Sequence, residues 1–329
     1  MVKYIIRRFI YIIFVFFLIS VMMFAIYKAV PSDPVRMQLQ GREQEMRPEQ
    51  FERLMEQTRR QLGLDKPVYI QYFRWMGNML RLDFGRSATH RRPVIEVIKA
   101  PMANTIMLNV ITMVIVFIIV IPLGIRTAVK KGSVFDSSVQ VVTILGYSLP
   151  TYIICLFSIF LFASTLQWFP VGGSVTPGLD LTGTKADIFF DRVWHIVLPI
   201  GVMVFTSLGS LTRYIRATMI DALRMDYIRT ARAKGLREKV VVYSHAFRNS
   251  MIPFVTAMIG WLISLFSGSL MVETIFSWQG MGRLFYDALV GSDYSVVLAL
   301  GMFYVLLGLV GNLIIDIAYT VVDPRVRLA

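Results

Sequence analysis

The sequence predicts an all-α polytopic membrane protein with about six transmembrane helices. Three observations carry that prediction. The 329-residue chain is 56% hydrophobic and only 17% charged, with a mean hydropathy of +0.61, too apolar for a soluble chain of this length. Its apolar residues come in uncharged blocks near the roughly 20 residues, at about 1.5 Å each, that cross a bilayer. Its charges fall between those blocks.

The blocks run, in order, from Phe9 to Tyr27, Ala100 to Ile125, roughly Val139 to Phe169, Val193 to Thr212, Asn249 to Val272, and Tyr294 to Ile315. The first follows Lys3, Arg7 and Arg8 and so imitates a signal peptide. It is long for one, and no small-x-small cleavage site follows, so it reads as a retained span over residues 1–30. Pro122 lies in the second block, and Pro150 follows Gly146 in the third. Helix bundles tolerate such breaks where neighbours satisfy the freed backbone groups, and the third block is long enough to hold two short segments.

Orientation follows from basic residues in the short loops. Lys3, Arg7 and Arg8, then Arg126, Lys130 and Lys131, the loop from Arg213 to Arg248, and finally Arg325 with Arg327 share one side, which places both termini in the cytoplasm. The loop alone carries nine basic and three acidic residues. The net charge of +13 therefore reads as membrane orientation, and nucleic acid is not expected as a partner. One cysteine, Cys155, and three separated histidines, His90, His195 and His245, leave no Cys-based metal or disulfide framework.

Residues 31–99 form an extracytoplasmic segment, with thirteen basic and nine acidic residues. Phe51, Leu54, Met55, Thr58 and Leu62 recur at helical spacing between Pro48 and Gly63, and Ile70, Phe73, Met76 and Leu80 suggest a second amphipathic helix. These faces pack on the bundle or dock an outside partner. Residues 100–329 form the five-helix core, with the basic loop at 213–248.

That loop is the most informative stretch. Ile220, Leu223, Tyr227 and Ala231 are spaced to share a helical face, with Arg224, Arg229 and Arg232 off it. Ala231, Ala233 and Gly235 are small enough to let another surface approach, and Gly235 suits a left-handed helix end. A short helix, a glycine turn and a second helix make a projecting knob that receives force from a partner.

The segment resembles the EAA loop of ABC importer permeases: Glu-Ala-Ala, three residues, Gly, nine residues, then Ile-x-Leu-Pro. Arg229, Thr230 and Ala231 fall on the triplet, Gly235 on the glycine, and His245 to Arg248 on the final four, so only Ala231 and Gly235 match. The variant RTARAKGL followed by HAFRNSMIP resembles the dipeptide, oligopeptide and nickel branch. Other stretches of that branch occur in order: Pro31-Ser32-Asp33-Pro34, LGLDKPVYIQYFRWMGNML, LDFGRSATHRRPV, SLPTYIICLFSIFLFASTLQWFPVGG, VETIFSWQGMGRLFYDAL with Gln279 for a usual proline, SDYSVV, and NLIIDIAYTVVDPRVR.

The resemblance implies a type I importer permease fold of the larger-outer-loop subunit type, in a bacterial cytoplasmic membrane. It implies pairing with a second, similar permease to form the pore for di- and oligopeptides. Two ABC ATPases would dock on the loop and an extracytoplasmic binding protein would deliver cargo. Arg224, Asp226, Tyr227, Arg229, Ala231, Arg232, Gly235, Leu236 and His245 would form the coupling region. The chain has no GxxxxGK[ST] phosphate loop, so it is not itself an enzyme; ATP and Mg would belong to the partners. Nickel complexes or another small solute are alternative cargo, and an ion-coupled carrier an alternative class. For a carrier, Asp316 beside Asn312 is the one intramembrane ionisable candidate, read here as a structural hydrogen-bonding group. An intramembrane enzyme would need Ser269 or Cys155 with His195, and nothing in the sequence joins them. Gly260, Ser264, Ser267 and Gly268 make a small-residue stripe. With Glu273, Phe276 and Trp278 it marks a re-entrant outer gate or pathway.

Overall fold

The computed structural model describes residues 2–29, 35, 36, 39, 44 and 46–322. The Pro31 to Pro34 motif and the basic tail with Arg325 and Arg327 lie outside them. The described chain is helical: α1 (Val2–Ala29), α2 (Pro48–Gln61), α3 (Val68–Leu80), α4 (Val94–Val129), α5 (Val134–Ser148), α6 (Thr151–Ser158), α7 (Lys185–Leu223), α8 (Asp226–Ala233), α9 (Arg248–Ser264), α10 (Leu270–Ile275), α11 (Met281–Val290) and α12 (Tyr294–Val322). The only strand-like pairing among the described residues is an isolated bridge between Arg86 and Pro93. This is an all-α polytopic membrane fold.

Among the described residues, four helices are long and apolar enough to cross a membrane: α1, α4, α7 and α12. A fifth crossing results if α5 and the α6 segment, which continues as π-helix to Thr165, count as one bent span. The bend is 102°, and its cause is local. Pro150 has no N–H and drives the preceding Leu149 to an extended conformation, ψ 135°. The fifth expected block falls on α9, 17 residues that prolong the π-helical Val241–Phe247, after which the chain leaves helical geometry before α10. Among the described residues the six expected blocks thus appear as four long helices, one broken pair and the helix α9.

Contacts divide the chain into two compact units, Met1–Ala100 with Phe285–Val310, and Pro101–Leu284 with Gly311–Ala329. In the first, α2 starts at Pro48 and ends before Gly63, which takes φ +68°. Phe51 of α2 is buried, with Leu54 and Met55 packed beside it. The face expected for α3 is corrected: Phe73 and Leu80 are exposed, and Tyr72 and Met79 are the buried residues. Tyr72 shares a 2.7 Å hydrogen bond with Ser20 of α1 and meets Phe17 and Phe24 edge-on.

The second unit is organised around the crossing of α5 and α7. A Cβ on Gly146 would meet the Phe205 carbonyl oxygen at 2.6 Å, and one on Gly209 the Thr143 oxygen at 2.5 Å. Only glycine permits backbones this close. One turn on, Arg213 lies over the Tyr147 ring at 4.8 Å. Asp136, almost wholly buried, then receives Nε and Nη2 of Arg216, both at 2.7 Å. Its carboxylate also accepts the Gly132 N–H and the Gln140 side chain.

Removing one partner of a buried pair strands the other charge. Asp136→Ala is therefore expected to cost about 3 kcal/mol, read as a lower thermal midpoint in detergent. The Asp136→Asn, Arg216→Gln double variant is expected to lose less than the single one. Equal midpoints for Asp136→Ala and the parent would contradict this.

Candidate functional site

The loop that the sequence singles out begins where α7 ends. Arg224 caps that helix at φ −90° and ψ −12°, and Met225 turns extended, φ −68° and ψ 151°. This break resets the helical phase: Ile220, Leu223 and Ala231 of the expected face pack on one cluster, and Tyr227 leaves it. Ile228 and Ala231 are the buried residues of α8, packed with Met219, Ala222, Val241, Val242 and Ala246. Tyr227 points outward. Ala231 packs inside its own unit.

The turn after α8 is closed by its own backbone. Lys234 N–H donates to Thr230 O at 3.0 Å, and Gly235 N–H to Arg232 O at 3.0 Å. Gly235 sits at φ +73° with open space around it, so the demand for glycine there is conformational. Arg232 then spans the turn to Glu238, Nη2 to Oε1 at 2.7 Å and Nε to Oε2 at 3.2 Å. That guanidinium holds the Glu238 carboxyl below its ordinary pKa. Asp226 and Arg229, both exposed, lie 3.5 Å apart.

The outward surface of this knob mixes cations with apolar side chains. Met225, Tyr227, Leu236, Val240 and Tyr243 are all exposed, beside Arg224, Arg229 and Lys234. Val241–Phe247 continues as π-helix into α9, with His245 half-buried. Apolar residues bunched on a basic projection suit contact with another protein chain better than solvent.

The second expected cluster is built around Glu273. Its carboxylate is buried and accepts four hydrogen bonds. The Thr105 hydroxyl (2.8 Å) and Ser269 N–H (3.3 Å) donate to Oε1; Gly282 N–H (2.7 Å) and Arg283 N–H (3.1 Å) donate to Oε2. Thr105 accepts in turn from Met281 N–H at 2.8 Å. A Cβ on Gly280 would strike the Glu273 carboxylate, and one on Gly268 would strike the Gly282 backbone. Phe276 and Trp278 are buried beneath this loop, and the Phe276 carbonyl accepts the Gly173 N–H at 2.8 Å.

From α4, Asn104 donates to Gln279 O at 2.8 Å, and Asn109 to Leu265 O and Ser267 O. Ser264 and Ser267 themselves are exposed. Sequence reasoning missed Asn104, Thr105 and Asn109, whose signal was three polar side chains inside an otherwise apolar block. His195 is buried, with Nδ1 2.8 Å from the Asp191 carbonyl, away from any nucleophile pairing.

Glu273→Gln replaces one acceptor oxygen by a donor that faces other donors. It is expected to cost about 2 kcal/mol, seen as lower yield and thermal midpoint, with Thr105→Val costing less. A Glu273→Gln chain as stable as the parent would contradict the hub assignment.

The comparisons agree over the whole chain. Residues 120–328 match the family described as binding-protein-dependent transport system inner membrane component. Residues 1–109 match the N-terminal region described for such membrane components. The chain is 37% identical over 328 residues to the oligopeptide transport system permease protein AppB of Bacillus subtilis, covering 99% of this chain and 100% of that one. It is 34% identical over 342 residues to the dipeptide transport system permease protein DppB of Escherichia coli K12, covering 99% of each. To the di/tripeptide transport system permease protein DppB of Pseudomonas aeruginosa it is 34% identical over 341 residues, again 99% of each. With its apolar helices and its basic projecting loop, the chain belongs to the family of binding-protein-dependent transport system inner membrane components.

Proposed function

We propose that this chain forms half of the translocation pathway of an ATP-driven importer of di- and oligopeptides, and that α8 is its coupling element. The observation that carries the reading is the knob itself. Ile228 and Ala231 root it in the core of its unit, while Tyr227, Leu236 and Arg229 stand outward. A push on such an element moves α7, because both helices share one packed cluster with Met219 and Ala222. The Asp136–Arg216 pair and the Gly146–Gly209 crossing pass that movement to α5.

On this reading the knob faces the cytoplasm, in a bacterial inner membrane. Two ATPase subunits, which carry ATP and Mg, engage the knob of this chain and that of a second, similar permease. A binding protein outside the membrane delivers the peptide. Peptide cargo is supported by the names of the relatives, which span oligopeptide, dipeptide and di/tripeptide systems. The Glu273 node holds the 265–283 loop in one shape, as an outer gate beside the pathway needs.

Leu236→Asp tests the coupling role without touching the core, since Leu236 is exposed. Peptide uptake by the assembled transporter is expected to fall at least about tenfold, a loss of roughly 1.4 kcal/mol of coupling or more, with unchanged membrane insertion. Uptake at the parental rate from Leu236→Asp and Tyr227→Glu alike would overturn the assignment.

A further inference from the structure

The first unit holds a cavity of about 650 Å³ that neither the knob nor the Glu273 node uses. Tyr27, near the end of α1, and Tyr294, the first residue of α12, line it, with their ring centroids 5.6 Å apart. Trp75 of α3 lines it too, 5.5 Å from Phe24. Two spanning helices end at this level, so the cavity lies at headgroup depth, where Tyr and Trp collect. The same helix that supplies Trp75 leaves Tyr69, Phe73 and Leu80 65%, 64% and 71% exposed. An apolar helix face left open beside two span ends suits contact with lipid.

Besides Lys28, Asp83, which accepts the Gly85 N–H, and Arg86, which donates to the Arg91 carbonyl, two kinds of charged group line the cavity. Arg74 and Arg91 line it and are exposed, and among the described residues neither side chain makes an ion pair. Asp293 lines it as well and is 1% exposed. Its Oδ2 accepts the Ser87 hydroxyl and the Thr89 N–H, while its Oδ1 has no hydrogen-bond partner. A buried carboxylate oxygen left without a donor is costly, so a missing donor is the simplest resolution.

We propose that this cavity binds the headgroup of a phospholipid that carries both a phosphate and a free ammonium, as phosphatidylethanolamine does. Arg74 and Arg91 donate to the phosphate oxygens, for which the guanidinium fork is well shaped. The ammonium supplies the donor that Asp293 Oδ1 lacks. The aromatic wall of Tyr27, Trp75 and Tyr294 covers the glycerol end. A free peptide also pairs an ammonium with an anion; the depth of the cavity favours the lipid.

The test uses the full-length chain with its assembled partners in nanodiscs of equal phosphatidylethanolamine and phosphatidylglycerol. Lipids that survive detergent extraction are identified by native mass spectrometry. The parent is expected to retain phosphatidylethanolamine about tenfold over phosphatidylglycerol. Arg74→Gln with Arg91→Gln is expected to abolish retention of both lipids, with the thermal midpoint in detergent unchanged. Asp293→Asn is expected to keep retention and lose the preference. Should that variant fail to insert because Ser87 and Thr89 lose their partner, the arginine pair still decides. Equal retention of both lipids by the parent, retention unchanged in the arginine variant, or displacement of the lipid by millimolar trialanine would overturn the proposal.

Discussion

A backbone N–H freed where a helix breaks needs an acceptor, and this constraint shapes the fold. The described chain meets it with buried carboxylates. Asp136 accepts the Gly132 N–H where α4 gives way to α5, Glu273 accepts three backbone N–H groups around α10 and α11, and Asp293 accepts Thr89 N–H before α4. Each sits where the chain leaves helical geometry. The irregular segments are therefore held in single shapes, although they lack the ladders that hold the helices.

The same logic explains where the glycines matter. Gly146 and Gly209 let α5 and α7 touch backbone to backbone, and Gly268 and Gly282 do so in the 265–283 loop. A close crossing followed within two turns by the Asp136–Arg216 pair leaves α5 and α7 little freedom to slide. Gly235 is a different case: nothing crowds it, and its φ of +73° alone requires glycine. The two situations look identical in the sequence.

The sequence made the spans legible because charge is excluded from them, and the break at Pro150 because proline removes a donor and straightens its neighbour. It also showed the bounds of α2, through Pro48 and Gly63. The buried faces of the short helices were less legible. For α3 the pattern of Ile70, Phe73, Met76 and Leu80 assumes that the open side meets water. Beside two span ends it need not be polar, and the hydrogen bond from Tyr72 to Ser20, 52 residues away, is what orients the helix. On α8 the error came from one extended residue, Met225, which breaks the phase. The buried carboxylates were hidden most completely. In the sequence, Asp136 and Asp293 are ordinary charges between apolar blocks, and Glu273, marked there for the outer loop, shows no partner. Their partners Arg216, Thr105 and Ser87 lie 80, 168 and 206 residues away.

The central claim is that α8 is the surface on which an ATPase acts. Cys155 is the only cysteine of the chain and is buried, so an exposed thiol introduced by Thr230→Cys is the reactive one. The direct measurement is to cross-link that thiol in the native membrane and identify the captured chain by mass spectrometry. The account predicts peptides of a P-loop ATPase, captured more weakly when the thiol is placed at buried Ile228. Capture of other chains alone, with no ATPase at Thr230, would contradict it.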